Sequence, residues 1–364
     1  MVTERYVTWA RTAPVEARCN AVRAIAQVLS NPEVAHEVRE EAGRILVRVT
    51  ADPSLVVRSV LAEVVSADAD LPRTILWQVC RDVPAVSAIA YAQAALAPCE
   101  LIEALDGREP SIQTAIAGRP DLTVAVVRAV VETANAKAVL ALLDNDTVVP
   151  GPGLLLAIAK RFANAASIRD RLLERDDCPP VARTLLADAL AADLATYGCA
   201  FEGVDARRLQ RAAEDAASEV RVRVAQCTER SEREAYLRSL KERNRITPAF
   251  LLRCAAANAL DLLAGGLALS ADLSAARATG LVRRPRGRSL EKAAQAAGMS
   301  PLIGTVLAAG LRLRALGEGE AAVLRAMLDV AMDRDADPAI VSLLARLEGE
   351  ATRREAFAPL PEAA

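Results

Sequence analysis

Apolar residues recur along most of the chain at i, i+3, i+4 and i+7 spacing, in short segments that end at Pro, Gly, Asp or Asn. This spacing places apolar side chains on one face of an α-helix, whereas a half-buried strand would alternate apolar and polar residues. The segment that follows Asp52-Pro53 is typical, with Leu55, Val56 and Val60 at helical spacing. No alternating run flanked by turn residues stands out, so the pattern predicts an all-α protein.

Several predicted helices begin at a proline. Proline suits the first helical position because its missing N–H has no partner within the helix there, and a preceding Asp, Ser, Thr or Asn can cap the helix. The proline starts predicted in this way, with or without a capping residue before the proline, are Asn31-Pro32, Asp52-Pro53, Leu71-Pro72, Glu109-Pro110, Thr247-Pro248 and Asp337-Pro338. The uncharged stretch 293–311 divides at Ser300-Pro301, which predicts two short helices rather than a membrane span.

The helical segments echo one another through a Val-Arg step with an aliphatic residue three positions after the arginine. The four steps are Val38-Arg39, Val57-Arg58, Val127-Arg128 and Val220-Arg221. Short amphipathic helices bury their apolar faces by stacking in pairs, which is the principle of an α-solenoid. Residues 52–58 resemble a HEAT repeat, in which the arginine packs along the neighbouring repeat and reaches its loop aspartate. The expected fold is a HEAT-like α-solenoid of short helix pairs with a C-terminal helical extension.

A longer succession of apolar and turn positions resembles a known family. It comprises residues 82–84, 99–105, 112–119, 140–145, 158–162, 171–175, 178–182, 246–253 and 290–298. Over residues 50–315 the chain resembles an alphaproteobacterial family defined only as a domain of unknown function, with HEAT-like helical repeats. The resemblance implies an all-helical repeat fold, and it carries no activity or site residues.

Composition breaks predict three regions. HEAT-like helical repeats are expected over residues 1–200, up to the break near Gly198. A C-terminal helical block with a basic loop is expected over 201–348. Residues 349–364 become polar and contain two prolines, so they are expected to form a flexible tail.

Charge is unevenly distributed, although the net charge is only −2. The net charge is −5 over residues 1–200, +8 over 201–314 and −5 over 315–364. Arginine side chains beside a helix N-terminus suit an anion, and Ser289 is the expected N-cap of the helix that follows the basic loop. The predicted anion site consists of Arg283, Arg284, Arg286, Arg288 and Ser289. A secondary basic patch is predicted at Arg238, Lys241, Arg243 and Arg245. The alternative is that these residues are solvated or paired with the acidic blocks.

Candidate chemistry is sparse. His36 is the only histidine, and the metal helix that the segment His36-Glu37 partly matches needs a second histidine at position 40, where Glu40 stands. The calcium-like spacing that starts at Asp333 has Pro338 where the loop requires glycine. The seven cysteines form no CxxC pair, and no nucleophile elbow or phosphate-binding glycine loop occurs. No cofactor and no metal are expected.

The expected function is therefore a non-enzymatic protein-interaction or regulatory scaffold. The alternative is an anion-binding module for nucleic acid or a phosphorylated small molecule, at the basic loop. A protein partner is expected, with no membrane insertion, and an alanine-rich exposed helix would also suit a homo-oligomer. Widely spaced cysteines in apolar stretches favour reduced thiols and a cytoplasmic location.

Overall fold

The computed structural model describes residues 2–107, 109–198 and 205–357, and within these ranges all regular secondary structure is helical. The prediction of an all-α protein is confirmed. The helices are α1 (Val2–Ala10), α2 (Val15–Ser30), α3 (His36–Val49), α4 (Leu55–Ala67), α5 (Arg73–Cys80), α6 (Pro84–Gln93), α7 (Pro98–Asp106), α8 (Pro110–Ala117), α9 (Val124–Thr133), α10 (Ala136–Leu143), α11 (Pro152–Phe162), α12 (Ala166–Leu173), α13 (Pro180–Gly198), α14 (Ala206–Cys227), α15 (Arg230–Glu242), α16 (Pro248–Ala256), α17 (Leu260–Ser270), α18 (Ala275–Arg283), α19 (Gly287–Ala296), α20 (Pro301–Ala315), α21 (Glu320–Asp333) and α22 (Pro338–Ala356).

The chain divides into two compact units, Met1–Asp177 (unit 1) and Cys178–Ala364 (unit 2). The division lies earlier than the boundary expected at residue 200. The reason is that α13 pairs with α14, so the break near Gly198 separates two paired helices and not two domains. The tail expected from residue 349 is helical as far as Ala356, and residues 358–364 lie outside the described ranges.

Alternate helices of unit 1 pack on one another in two rows. In one row α2 packs on α4, α4 on α6, α6 on α8, α8 on α10 and α10 on α12; in the other, α7 packs on α9 and α9 on α11. Each helix turns its apolar face to its neighbours, and Val57, Ile116 and Leu142 are fully buried. Burial of these faces, which no single short helix achieves alone, stabilises the unit.

A chain of polar contacts joins the N-terminal ends of α2, α4 and α6. Arg18 of α2 donates to the carboxylate of Asp52, which lies just before α4, at 2.6 Å. Arg58 of α4 donates to the carboxylate of Asp82, just before α6, at 2.7 Å, and to the carbonyl of Asp52 at 2.7 Å. Arg58 therefore reaches the loop aspartate of the neighbouring element. We call this set of four residues the Arg–Asp ladder.

The same kind of contact recurs further along the row in uncharged form. The Gln113 side chain of α8 accepts hydrogen bonds from the backbone N–H of Asn135, at 2.9 Å, and from its side-chain amide, at 2.6 Å. Asn135 in turn caps α10 through the N–H groups of Lys137 and Ala138. The buried Gln113 thus links two stacked helices as Arg18 and Arg58 do.

Unit 2 is built around α16. This helix packs against α14, α17, α20, α21 and α22, and its residues from Phe250 to Ala256 are buried throughout. Two glycines permit close helix packing around it. A Cβ at Gly265 would lie 2.6 Å from Leu237 Cδ1, and a Cβ at Gly304 would lie 2.3 Å from backbone atoms of Leu290 and Glu291.

Several predicted helix starts are confirmed. Thr247 caps α16 by accepting from the Phe250 N–H at 3.3 Å, Ser300 caps α20 from Leu302 at 3.4 Å, and Asp337 caps α22 from Ala339 at 2.8 Å. The split at Ser300-Pro301 is confirmed as well, since α19 ends at Ala296 and α20 begins at Pro301.

Three predicted starts were wrong. At Leu71-Pro72 the difference is one residue, since Pro72 is the N-cap and α5 begins at Arg73. Asn31 ends α2, and α3 begins only at His36, because the N–H of Glu33 folds back onto the Asn31 side chain at 3.0 Å and forms a turn. Helix α4 begins at Leu55, after the N-cap Ser54, because the Asp52 carboxylate accepts from the Ser54 N–H at 2.8 Å and faces Arg18.

Candidate functional site

The basic loop expected at residues 283–288 is shorter in the structure: Arg283 ends α18, Arg284 and Arg286 lie between the helices, and Arg288 lies in the first turn of α19. All four arginines are exposed. Among the described residues, no side-chain hydrogen bond or ion pair occupies the guanidinium groups of Arg283, Arg284, Arg286 or Arg288. Pro285 stiffens the centre of the loop because its ring fixes φ. The loop therefore presents four cationic groups to solvent within six residues.

A fifth arginine joins the loop from α20. Arg312 is exposed, and its Nε lies 3.5 Å from the carbonyl oxygen of Pro285. Sequence reasoning missed it because only the packing of α20 on α19 brings it here. The nearest acid on α19, Glu291, accepts a hydrogen bond from Thr305 at 3.0 Å. This one carboxylate stands beside five arginines, so the surface has a net positive charge and would attract an anion that comes within about a Debye length.

Ser289 does not cap the helix, contrary to prediction. Helix α19 begins at Gly287, and Arg286 occupies the N-cap position without a side-chain cap. The Ser289 N–H instead donates to the Arg286 carbonyl at 3.0 Å, which places Ser289 inside the first turn. The N-terminal N–H groups of α19 consequently have no side-chain acceptor of the kind that Ser289 would have supplied.

The predicted secondary basic patch is divided by the fold. Arg238 pairs with Glu234 on its own helix at 2.7 Å, and Lys241 is exposed. Arg243 turns toward Asp188 of α13, at 2.7 Å, and Arg245 lies 3.4 Å from the same carboxylate. These two arginines are therefore paired internally and do not extend a surface with the others.

Asp188, which pairs with Arg243 and Arg245, belongs to a buried ion cluster. Arg221 of α14 is completely buried and contacts Asp188 at 2.7 Å and Glu214 at 2.9 Å. Burial alone would lower the pKa of Arg221, but the hydrogen bonds and charges of Glu214 and Asp188 raise it. The cluster joins α13, α14 and the end of α15, and its geometry is that of a structural ion network.

Tyr236 completes the same region. Its hydroxyl donates to the Arg221 carbonyl at 3.1 Å and lies 2.7 Å from the Thr184 hydroxyl. Burial raises the pKa of Tyr236 to about 12, so the phenol stays protonated at neutral pH. Both of its hydrogen bonds are to groups of unit 2, which gives it a packing role.

The remaining sequence candidates lie on the surface. His36 is exposed, and its Nε2 lies 3.7 Å from Glu40 on the same helix face. Asp337 serves as the N-cap of α22. Within the part of the chain that the structure describes, no three His, Cys, Asp or Glu side chains are arranged to hold a metal ion. In the same ranges no helix combines the length and apolar character that a bilayer crossing needs.

The fold and these sites define an all-helical protein of two units that carries an exposed arginine surface on the second. The chain belongs to the family described as "Uncharacterised protein conserved in bacteria (DUF2336)", which it matches over residues 92–340. The match begins within unit 1 and extends into α22 of unit 2. Neither the curated proteins nor the solved structures contain a match to this chain.

Proposed function

We propose that the chain is a cytoplasmic, non-catalytic scaffold whose unit 1 is a HEAT-like α-solenoid that binds a protein partner. The two rows of alternately packed helices and the Arg–Asp ladder support the solenoid. Stacked repeats create extended surfaces that other proteins use for binding. The free thiols Cys80 and Cys254, both buried, are in keeping with a reducing compartment. An alphaproteobacterial origin is part of the same proposal.

The observation that carries the proposal is a row of exposed apolar side chains at the N-terminal ends of stacked helices. Val15 begins α2 and is 40% exposed, and Val83 immediately precedes α6 and is 44% exposed. Between them, Leu55 and Val56 begin α4 and are 45% and 57% exposed. The Arg–Asp ladder joins these three helix ends. We propose that the four side chains form one edge row there. Exposed apolar rows of this kind mark protein-interaction sites.

The experiment replaces two apolar residues of the edge row with charges. Aspartate is favourable at a helix N-terminus, so Leu55→Asp combined with Val56→Asp should leave α4 intact while placing charge in the interface. A partner captured by cross-linking is purified, and its affinity for the wild-type protein is measured by titration. The double substitution should weaken that affinity by about tenfold or more.

The matched control is Val124→Asp. Val124 also begins a helix and is 71% exposed, but it lies on α9, in the other row. Equal affinity of the partner for the wild type and the double variant, or an equal loss in Val124→Asp, would refute the edge row as the binding surface.

A second function is favoured by the basic loop, namely binding of a polyanion or phosphorylated ligand. Five exposed arginines, four of the loop and Arg312, converge there without a described ion-pair partner for the loop residues. Guanidinium groups bind phosphate oxygens in a bidentate manner, and the uncapped N-terminus of α19 adds N–H donors. Nucleic acid and a phosphorylated small molecule share this chemistry.

The test is a binding panel of labelled duplex DNA, single-stranded DNA and ATP at increasing salt. If nucleic acid is the ligand, the logarithm of the affinity should fall, for each unit of log salt, by about 0.9 per phosphate contact with duplex DNA and by about 0.7 with single-stranded DNA. Replacing all four loop arginines with alanine should abolish the binding. Arg238→Ala, which removes an exposed arginine paired with Glu234, is the control and should have no effect. Absence of salt-dependent binding to every probe would exclude this function.

A further inference from the structure

A buried arginine in unit 2 lacks the hydrogen bonds that its position demands. Arg253 lies in the last turn of α16 and is 6% exposed. In the described ranges its guanidinium makes no hydrogen bond, and its Nε is buried without any partner. Burial of unsatisfied N–H donors is costly, particularly on a charged group, so a ligand that accepts hydrogen bonds from Arg253 would be favoured.

The carboxylates nearest to Arg253 are engaged by other arginines. Arg253 Nη2 lies 4.0 Å from Asp215 and Nη1 lies 3.8 Å from Glu219, too far for hydrogen bonds. Asp215 instead pairs with Arg346 at 2.7 Å, and Glu219 pairs with Arg223 at 3.1 Å. The two carboxylates compensate the charge of Arg253 but leave the N–H donors of its two terminal nitrogens without a hydrogen-bond acceptor.

Arg253 faces a cleft of about 210 Å³ between α14, α16, α21 and α22. Six charged residues line the cleft, three basic and three acidic: Arg223, Arg253, Arg354, Glu219, Glu320 and Glu350. At its rim Arg354 pairs with Glu320 at 3.2 Å. Val222 and Leu347 supply an apolar wall.

This lining discriminates between classes of small molecule. A simple anion would bind Arg253 but would meet three carboxylates, and a simple cation would meet three guanidinium groups. A molecule that carries both charges on adjacent atoms satisfies both sets, and a short hydrocarbon side chain would pack on Val222 and Leu347. The volume suits a ligand of that size and excludes a folded peptide segment.

We propose that this cleft binds a small zwitterion of the α-amino-acid class. Its carboxylate accepts a bidentate pair of hydrogen bonds from Arg253, and its ammonium group lies between Glu219 and Glu350. Arg354 closes the rim over the carboxylate. The site belongs to unit 2 and is independent of the edge row and of the basic loop.

The first experiment is calorimetric titration of the full chain with L-leucine, L-alanine, acetate and ethylammonium. L-Leucine should bind best, L-alanine more weakly because it lacks the side chain that reaches the apolar wall, and the two singly charged probes at least about tenfold more weakly than L-leucine. Acetate binding as tightly as L-leucine would overturn the zwitterion assignment, and absence of binding by both amino acids would overturn the site.

The second experiment uses matched arginine variants on neighbouring helices. Arg354 and Arg325 are both exposed and both pair with a glutamate across α21 and α22, but only Arg354 lines the cleft. Arg354→Ala should weaken L-leucine binding about tenfold, as expected for one lost charge-assisted hydrogen bond, whereas Arg325→Ala should not change it. Equal effects of the two substitutions would contradict the proposal.

Arg253 itself is tested with Arg253→Lys, which keeps the buried charge but removes the bidentate fork. Circular dichroism and thermal unfolding verify that the variant is folded. A folded Arg253→Lys protein should lose L-leucine binding, and retained binding would refute the role of Arg253. If this variant does not fold, the comparison of Arg354→Ala with Arg325→Ala decides the question.

Discussion

One guanidinium nitrogen of Arg18 lies 2.6 Å from both carboxylate oxygens of Asp52, across the boundary between α2 and the loop that precedes α4. Both side chains are largely buried, at 11% and 6% exposure. The Asp52 carbonyl also accepts a hydrogen bond from Arg58, so the Arg18–Asp52 and Arg58–Asp82 pairs of the Arg–Asp ladder are linked through Asp52. The stability of neighbouring helices in unit 1 should therefore be coupled.

The ladder is tested by Arg58→Met, which preserves the length and apolar stem of the side chain. The substitution leaves the partly buried Asp82 carboxylate without its ion-pair partner and should lower the free energy of unfolding by about 1–3 kcal/mol. Urea denaturation followed by circular dichroism measures the change. Arg44→Met, which removes an exposed arginine paired within its own helix, should cost less than about 0.5 kcal/mol. Similar losses of unfolding free energy in both variants would show that the ladder stabilises unit 1 no more than an exposed ion pair does.

Substitutions in the buried ion cluster of unit 2 should lower the stability of the protein far more than substitutions of exposed residues beside it. Arg221→Leu leaves Asp188 buried, although Arg243 and Arg245 remain near it, and should cost about 3–5 kcal/mol. Arg223→Leu, two residues along the same helix and 76% exposed, should change stability by less than about 0.5 kcal/mol. Thermal unfolding of the two variants side by side checks this expectation, which fails if Arg221→Leu unfolds at the wild-type temperature.

The contact between α19 and α20 should not tolerate a methyl group. In Gly304→Ala the new Cβ would meet the backbone of Leu290 and Glu291, so the helices must separate, at a cost of about 1–3 kcal/mol. Gly280→Ala in α18 meets no atom within 4 Å and should stabilise the protein by up to about 1 kcal/mol through helix propensity. The opposite signs can be read from urea unfolding midpoints, and destabilisation by both substitutions would contradict the packing argument.

Docking of α1 should depend on pH. The Thr3 backbone N–H and hydroxyl donate to Glu41 at 2.9 and 2.8 Å and hold its pKa at about 2, below the ordinary 4.5. Ionised Glu41 therefore favours the docked helix above its ordinary pKa, and this contribution disappears as the pH falls towards 2.

Trp9 reports the docking of α1, because it is the tryptophan of that helix. In a Trp77→Phe background, its fluorescence should change between about pH 5 and about pH 2. Glu41→Gln should remove this transition. A transition that persists unchanged in Glu41→Gln would assign the effect to other carboxylates.

Local signals predicted the helices well, and tertiary contacts explain most of the misses. Thr247, Ser300 and Asp337 cap helices where the sequence placed them, because a cap and the following proline act within one turn. Asp52 departs from this rule because Arg18, which is remote in sequence, competes for its carboxylate. Helix α13 ends at Gly198, where the sequence predicted a break. Because α13 and α14 pack on each other, the boundary between units 1 and 2 lies before α13.

The sites were harder to predict because they depend on side chains that converge from separate helices. Four loop arginines could be recognised by their spacing, whereas Arg312 could not. Arg243 and Arg245 lie close to Asp188, which is on another helix, and so do not face solvent freely. Their own sequence neighbourhood does not show this pairing. Arg253 had one usable signal, since it interrupts the apolar run from Phe250 to Cys254 and an arginine there must be buried.

The ladder also has a consequence for synthesis of the chain. Its contacts join residues 34 and 24 positions apart, so each helix of unit 1 can complete its packing soon after it leaves the ribosome. Unit 2 differs, because its central helix α16 packs on α21 and α22, which lie close to the end of the described chain. Unit 1 is therefore suited to cotranslational folding, while unit 2 must wait until nearly all of its residues have been made.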